Sequence, residues 1–244
     1  MEIILSGNKK NLLVIGHKGA SAIAPENTLK AFKKAIELKA DYLEFDIHHT
    51  SDKEIIIHHD EDTLSTTGVL KRIIDTSLEE LKKLDVGEGE QIPTLRELIK
   101  ITKGKINLQP EIKAPGLAHD LVNILRENNL VETSLVSCFE VVELLQIKEI
   151  EPQLKLGYLI PKALTKFQPI KQYIKRAVEN QFYAIHPYHT AVNKKLIEFS
   201  HERGLKINVW TVNEEEIMKR LIDLGVDGIF TDDIALLNKL LGRT

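Results

Sequence analysis

The chain has 244 residues, with 33 basic and 36 acidic side chains and a formal net charge of −3 at pH 7. This near balance argues against nucleic acid or an anionic membrane surface as a partner, because both favour a large basic excess. A single cysteine excludes an intramolecular disulfide and is typical of a reducing compartment, so we expect a cytoplasmic protein.

Export and membrane insertion are not expected. The amino-terminal stretch 1–7 is too short for the apolar region of a signal peptide, and no basic segment precedes it. Nowhere do about 18 apolar residues run without a charge, as a transmembrane helix requires. We therefore predict a protein without stable membrane insertion.

In chain order, short apolar runs typical of strands alternate with apolar residues at helical spacing, about eight times. The length matches one (β/α)8 barrel of the TIM type, although length alone also allows two smaller domains. No long linker divides the chain, so we predict one barrel domain over residues 1–244. The predicted strands cover residues 12–16, 41–47, 106–111, 133–138, 154–159, 182–186, 206–210 and 226–230.

One segment interrupts this alternation. Residues 48–105 are too many for a single crossover helix, and they contain a further apolar run at 55–57. We predict a small insertion between the second and third barrel strands, over about residues 48–92, with little obvious lipid-binding surface. Thr94 and Glu97 have the spacing of a capping box, which predicts that the crossover helix begins there.

Polar side chains recur where the apolar runs end. His17 follows the first predicted strand, and Glu44 and Asp46 close the second. Glu111 and Lys113 follow the apolar part of the third. Because the parallel strands of such a barrel all end at one mouth, we expect these residues to form one site there.

The carboxylates indicate a metal site. Glu44 and Asp46 are two residues apart on a strand, so both point to the same face, about 6.6 Å apart along it. With Glu111 they provide three oxygen donors without a thiolate partner, which favours Mg²⁺ or Ca²⁺ over a structural zinc. The alternative is a pair of solvated acids at a strand end.

Histidines beside these acids are candidates for proton transfer, because imidazole titrates near neutral pH. His17 and His59 are the two candidates, although a lone histidine is usually structural. Adjacent strand residues face opposite sides, so each of the tandem pairs 48–49 and 58–59 offers one side chain inward. We expect the remaining histidines of these pairs on the surface.

Several short segments together resemble the glycerophosphodiester phosphodiesterases. Each is weak alone, but they occur in the family's order over nearly the whole chain, each at a predicted strand end or in the insertion. The segments are residues 17–19, 25–28, 44–46, 59–60, 93–95, 111–113, 210–213 and 225–232.

The resemblance implies a TIM-type barrel that hydrolyses glycerophosphodiesters to sn-glycerol 3-phosphate and an alcohol, with a divalent metal. It implies that His17 and His59 are the acid–base pair. It also implies that Glu44, Asp46 and Glu111 bind the metal. Either histidine is a candidate for the acid, with the other as the base.

The resemblance further implies a set of substrate contacts. Lys113 corresponds to a basic residue that helps to hold the phosphate, and Trp210 to an aromatic that packs against the glycerol. Lys18 and Glu26 are further substrate-binding candidates. Lys18 stands where the family usually has arginine, which replaces a bidentate fork with a point charge. Ser65 stands where an arginine commonly precedes the paired threonines.

Structural interpretations compete with some of these assignments. Asn27 or Thr28 is expected to cap the first helix, and Asp232 is a candidate cap for the last one. Trp210 could be a core residue. Tyr158 and His186 end other predicted strands and are secondary candidates for lining the pocket.

Two other functions are considered. A phosphodiesterase of the same family with lysophospholipase D activity would share the acids and histidines but would need an apolar entrance. A non-catalytic phosphodiester-binding barrel would be expected to lack a histidine or a metal carboxylate. All five of these residues are present.

Overall fold

The protein is described by a computed structural model that covers residues 11–243. The amino-terminal stretch 1–7, on which the prediction against export rests, lies outside the described residues. None of the helices within residues 11–243 has the length and apolar character needed to cross a bilayer.

The strands within this range form one sheet, and eight of them are parallel and close into a barrel. Closure is made by β1, which pairs with β9 on one side and with β2 on the other. Around the barrel the order is β1-β9-β8-β7-β6-β5-β4-β2, with β3 added to the outer part of β2. The strands are β1 (Leu13–Gly16), β2 (Tyr42–His49), β3 (Ile55–Ile57), β4 (Asn107–Ile112), β5 (Leu135–Cys138), β6 (Lys155–Leu159), β7 (Ala184–His186), β8 (Lys206–Val209) and β9 (Gly228–Thr231).

Helices follow the barrel strands and cover the sheet with their apolar faces. Thr28 caps the first of them by accepting the backbone N–H of Ala31, and Thr94 and Glu97 form the predicted capping box. The helices of the described range are α1 (Leu29–Glu37), α2 (Leu64–Thr67), α3 (Leu78–Leu81), α4 (Leu95–Thr102), α5 (Ala118–Glu127), α6 (Val141–Ile150), α7 (Phe167–Glu179), α8 (Lys194–His201), α9 (Glu215–Leu224) and α10 (Ile234–Leu241). The predicted (β/α)8 barrel is confirmed.

The segment between β2 and α4 has a small core of its own. β3 pairs antiparallel with β2, and four buried side chains from this segment pack together: Ile56, Ile73, Leu81 and Ile92. The segment nevertheless exposes apolar side chains. Leucine, valine and isoleucine side chains on it are 45–62% exposed, because its small core cannot cover them: Leu64, Val69, Leu70 and Ile74.

A polar layer lies inside the barrel below its carboxyl end. Gln109 Nε2 lies 3.3 Å from Nδ1 of the fully buried His186. Gly157 makes room for this imidazole, because a Cβ there would lie 2.4 Å from His186 Nε2. Burial lowers the pKa of His186 to about 3, so the ring is neutral. His186 therefore belongs to the barrel interior and is not the pocket-lining residue that was considered.

Tyr158 is a core residue as well. It is 4% exposed, and its ring packs on Tyr173 and Phe182, with centroids 5.0 and 6.1 Å away. Successive strand residues face opposite sides, so Tyr158 points outward to the helix layer while the preceding Gly157 points inward. It does not line the mouth.

Candidate active site

Three carboxylates meet at the carboxyl end of β2 and β4. Glu44 and Asp46 face the same side of β2, and Asp46 is in register with Glu111 on the neighbouring strand. One carboxylate oxygen from each residue lies within 4.8 Å of those of the other two. Glu44 and Asp46 are 2% and 1% exposed, so this negative charge is held away from bulk water.

The surroundings shift the pKa values of the three acids in different directions. Burial, together with the charge of Asp46, raises the pKa of Glu44, and the same two causes raise that of Glu111. Burial alone would raise the pKa of Asp46 too, but Lys113, His59 and other positive groups outweigh it and lower that pKa. Concentrated carboxylate charge of this kind, with hard oxygen donors, fits a divalent cation.

Neighbouring loop residues fix the orientation of these acids. The backbone N–H of Lys18 donates to Glu44 Oε2 at 2.8 Å. The Asn27 side chain donates to Asp46 Oδ2 at 2.9 Å. Asn27 is therefore not the helix cap that was considered alongside Thr28, since its amide holds a site carboxylate instead.

His17 is the first residue after β1, and an aspartate from the far end of the chain holds it. Its Nδ1 lies 2.7 Å from Asp232 Oδ1, which also accepts a hydrogen bond from Ser21 Oγ at 2.8 Å. Burial would lower the pKa of His17, but the hydrogen bond with Asp232 and the charge of Glu44 outweigh it and raise that pKa. Asp232 was considered as a helix cap, whereas Asp233 caps α10 by accepting the N–H of Leu236.

His59 has a similar partner within its own loop. Its Nδ1 lies 2.7 Å from Asp60 Oδ1, and its Nε2 lies 3.3 Å from Lys113 Nζ. Ser65 in α2 also donates to Asp60, and the hydrogen bonds from Ser65 and His59 lower the pKa of Asp60 to about 2. An ionised aspartate only accepts hydrogen bonds, so Nδ1 of both site imidazoles is the donor.

The structure also brings together the predicted cationic residues. Lys113 Nζ lies 2.9 Å from Glu111 Oε1 and 3.6 Å from Asp46 Oδ1. Lys18 Nζ lies 3.0 Å from Glu26 Oε1, and the charges of Asp46 and Glu26 raise the pKa of Lys18 despite its burial. Both ammonium groups thus border the carboxylates.

Trp210 follows β8 directly and lies on the side of the barrel opposite β4. Its Nε1 donates to the carbonyl oxygen of His186 at 2.7 Å. Its ring makes edge contacts with Phe139 and Tyr188, with centroids 5.7 and 5.3 Å away. The indole is half-buried and packs against the buried cluster that contains Ile15 and Phe230, so it is only partly enclosed.

The other histidines near β2 were expected on the surface, but the structure buries them. His48, His49 and His58 are 3–5% exposed, because the segment after β2 packs over this end of the strand. His58 Nε2 lies 2.9 Å from Thr66 Oγ1 in α2, and His48 Nε2 lies 3.2 Å from the carbonyl oxygen of His59. These contacts fix the loop that carries His59.

Comparison with known proteins identifies the family. The sequence model of the glycerophosphoryl diester phosphodiesterase family matches residues 17–236. The chain belongs to this family. The resemblance, the barrel fold and the assignment of the chain to the phosphodiesterases are thereby confirmed.

Individual members of the phosphodiesterase family resemble the chain over most of its length. A glycerophosphodiester phosphodiesterase from Caldanaerobacter subterraneus subsp. tengcongensis is 37% identical, over 95% of this chain and 98% of the relative. A phosphodiesterase from Oleispira antarctica, solved in complex with the product sn-glycerol-3-phosphate, superposes with a TM-score of 0.85 and 26% identity, over 94% of this chain and 96% of that one. A human lysophospholipase D is 26% identical, over 89% and 82% of the two chains.

Proposed function

We propose that the protein hydrolyses glycerophosphodiesters to sn-glycerol 3-phosphate and an alcohol. The observation that carries this proposal is the placement of two imidazoles, each held at Nδ1 by an aspartate, beside one cluster of three carboxylates. Family membership and the product bound to the Oleispira antarctica relative support it.

Glu44, Asp46 and Glu111 would hold a divalent cation, Mg²⁺ or Ca²⁺, which supplies positive charge against the phosphoryl oxygens. The fit rests on the donor set itself. Its three oxygens lie within 4.8 Å of one another, two from buried residues and one from the half-buried Glu111, with no thiolate among them. Buried like charges repel, and this arrangement is favoured where a cation offsets them.

His17 and His59 would transfer protons during hydrolysis. Asp232 and Asp60 each fix a tautomer with hydrogen on Nδ1, which leaves Nε2 of the ring for the reaction. One imidazole removes a proton from the attacking oxygen and the other donates one to the departing alcohol. The raised pKa of His17 keeps a larger protonated fraction near neutral pH than an isolated imidazole would have.

The remaining predicted residues would bind the substrate. Lys113 and Lys18 border the carboxylates and would attract the phosphodiester, with Glu26 fixing the Lys18 ammonium at 3.0 Å. Trp210 would pack against the glycerol from the opposite side of the mouth. A cytoplasmic location stays a prediction from the cysteine content.

The decisive experiment measures release of glycerol 3-phosphate from a panel of glycerophosphodiesters, with EDTA and with added metals. We expect activity that EDTA abolishes and that Mg²⁺ or Ca²⁺ restores. No release from any diester at saturating metal would contradict the proposed function. Full activity in a sample shown by elemental analysis to be metal-free would contradict the cation site alone.

A second candidate is hydrolysis of lysophospholipids, as the name of the human relative describes for that protein. Leu64 and Leu70 give the segment after β2 exposed apolar surface, with 51% and 62% exposure. Choline release from lysophosphatidylcholine, compared with release from glycerophosphocholine, tests this candidate. No release from the lysolipid by an enzyme that cleaves glycerophosphocholine would exclude it.

A further inference from the structure

A cavity of about 220 Å³ opens beside the carboxylate cluster. Its walls come from the end of β2, from the segment between β3 and α4, and from the loop after β4. Lys113 forms one wall of the cavity and also contacts Glu111 and His59. Its side chain therefore connects the cavity to the carboxylate cluster and to one of the two candidate catalytic histidines. Its volume is below the roughly 300–1,000 Å³ of pockets for drug-sized ligands, and it suits a small group.

The topology puts this cavity on the side of the barrel mouth opposite Trp210. β4 and β8 are four strands apart in the ring of eight, which makes them diametrically opposite. Trp210 follows β8, whereas Lys113 follows β4. If Trp210 packs against the glycerol, the alcohol on the other side of the phosphorus projects toward the cavity.

The lysine and the arginine that line the cavity both have acidic partners. Lys113 is paired with Glu111 at 2.9 Å. Arg72 Nη1 lies 3.0 Å from Asp75 Oδ2, a pair that is exposed and therefore weak. His49 is not a third cation, because burial lowers its pKa, although its Nε2 lies 3.0 Å from Asp120 Oδ2.

Glu61 is the exception among the charged groups of the lining. Its side chain is exposed, and within residues 11–243 its carboxylate has no hydrogen bond or ion pair, although its backbone oxygen accepts the N–H of Ile73. The rest of the wall is partly apolar, with Ile74, Ala114 and Pro115. A small group that carries a positive charge on a partly methylated or methylene body complements this lining.

We infer that the cavity binds the alcohol part of the substrate and that Glu61 selects a cationic alcohol of the choline or ethanolamine type. The inference rests on the proposed hydrolysis of glycerophosphodiesters and adds the class of substrate. Glu61 acts as a specificity residue at the far end of the alcohol, away from the phosphorus.

Kinetic selectivity tests this assignment. We compare kcat/KM for glycerophosphocholine and glycerophosphoethanolamine with kcat/KM for glycerophosphoglycerol, whose alcohol is neutral. Wild type should prefer the cationic alcohols, and Glu61→Gln should reduce that preference about fivefold, the equivalent of roughly 1 kcal/mol for a partly solvated ion pair. Glu61→Lys should reduce it further, and added salt should weaken it in wild type only.

Glu54→Gln is the matched control, because Glu54 is an exposed acid in the β2–β3 loop that does not line the cavity. It should keep the wild-type preference. Equal kcat/KM of wild type for cationic and neutral alcohols, or equal losses on both in Glu61→Gln, would overturn the inference.

Binding of the free alcohol separates this inference from the proposed reaction. Choline and its neutral isostere 3,3-dimethylbutan-1-ol are titrated into the full chain and followed by NMR. Choline should bind more tightly than the isostere, and Glu61→Gln should remove the difference. Equal binding of the two by wild type would refute the role of Glu61 even in an active enzyme. Tighter choline binding by a protein that cleaves no diester would retain Glu61 as a cation-binding residue and reject the proposed reaction.

Discussion

Replacing Asp232 by asparagine removes the charge that holds His17 while keeping the size of the side chain. The 2.7 Å contact with His17 Nδ1 would then involve an amide, which can donate as well as accept. Donation by the amide would move the imidazole proton to Nε2, the atom that faces the reaction. The loss of charge would also lower the pKa of His17, since the hydrogen bond with Asp232 is the main cause that raises it.

The expected loss follows from the strength of this contact. A hydrogen bond to a charged group contributes about 1.5–3 kcal/mol, which corresponds to roughly 10- to 150-fold in rate. The Asp232 side chain is 28% exposed, so solvent screens part of the interaction and the lower half of this range applies. We therefore expect kcat/KM to fall by about 10- to 50-fold. The limb of the pH profile that reports His17 should move to lower pH.

The assay is kcat/KM for glycerophosphocholine between pH 5 and 9, at saturating metal. Asp233→Asn is the control, because asparagine is an equally good helix cap and the Asp233 side chain accepts only the N–H of Leu236 within the described residues. It should behave as wild type. If Asp232→Asn stays within threefold of wild type with an unshifted profile, Asp232 does not orient His17 for catalysis.

Three further outcomes are expected. Glu44→Gln should weaken divalent-cation binding and lower kcat, measured by titrating metal into stripped enzyme, because a buried oxygen ligand loses its charge; wild-type metal dependence would reject Glu44 as a ligand. Lys18→Ala should mainly raise KM while Lys18→Arg retains affinity, and an unchanged KM in the alanine variant would put Lys18 outside the site. Gly157→Ala should lower the free energy of unfolding in urea by about 1–3 kcal/mol, because its Cβ would meet His186 Nε2; undiminished stability would mean that the ring can move aside.

The barrel was predictable because the strands are short apolar runs, and polar residues mark where several of them end. The third predicted strand, 106–111, corresponds to Asn107–Ile112. The grouping of Glu44, Asp46 and Glu111 followed from the same pattern, since parallel register aligns the ends of neighbouring strands. The local pattern of apolar and polar residues therefore predicted both the barrel strands and the carboxylates at their ends.

Contacts between distant loops could not be predicted in this way. Asp232 is of a residue type that often caps helices. Nothing within its own segment indicates that it contacts His17, which lies 215 positions earlier. The burial of His48 and His58 likewise depends on how the segment after β2 folds back on that strand. Sequence periodicity reports which face of an element is apolar, but not which loop covers it.

Barrel closure also sets when the protein can acquire activity during synthesis. His17 lies at the end of the first strand, and its aspartate partner follows the last strand, which pairs directly with the first. A nascent chain still held in the ribosome at β9 lacks that partner, however many earlier βα units have formed. Hydrolysis at full rate should therefore begin only after the carboxyl-terminal segment has been released, and proteolytic fragments that end before residue 232 should lack it.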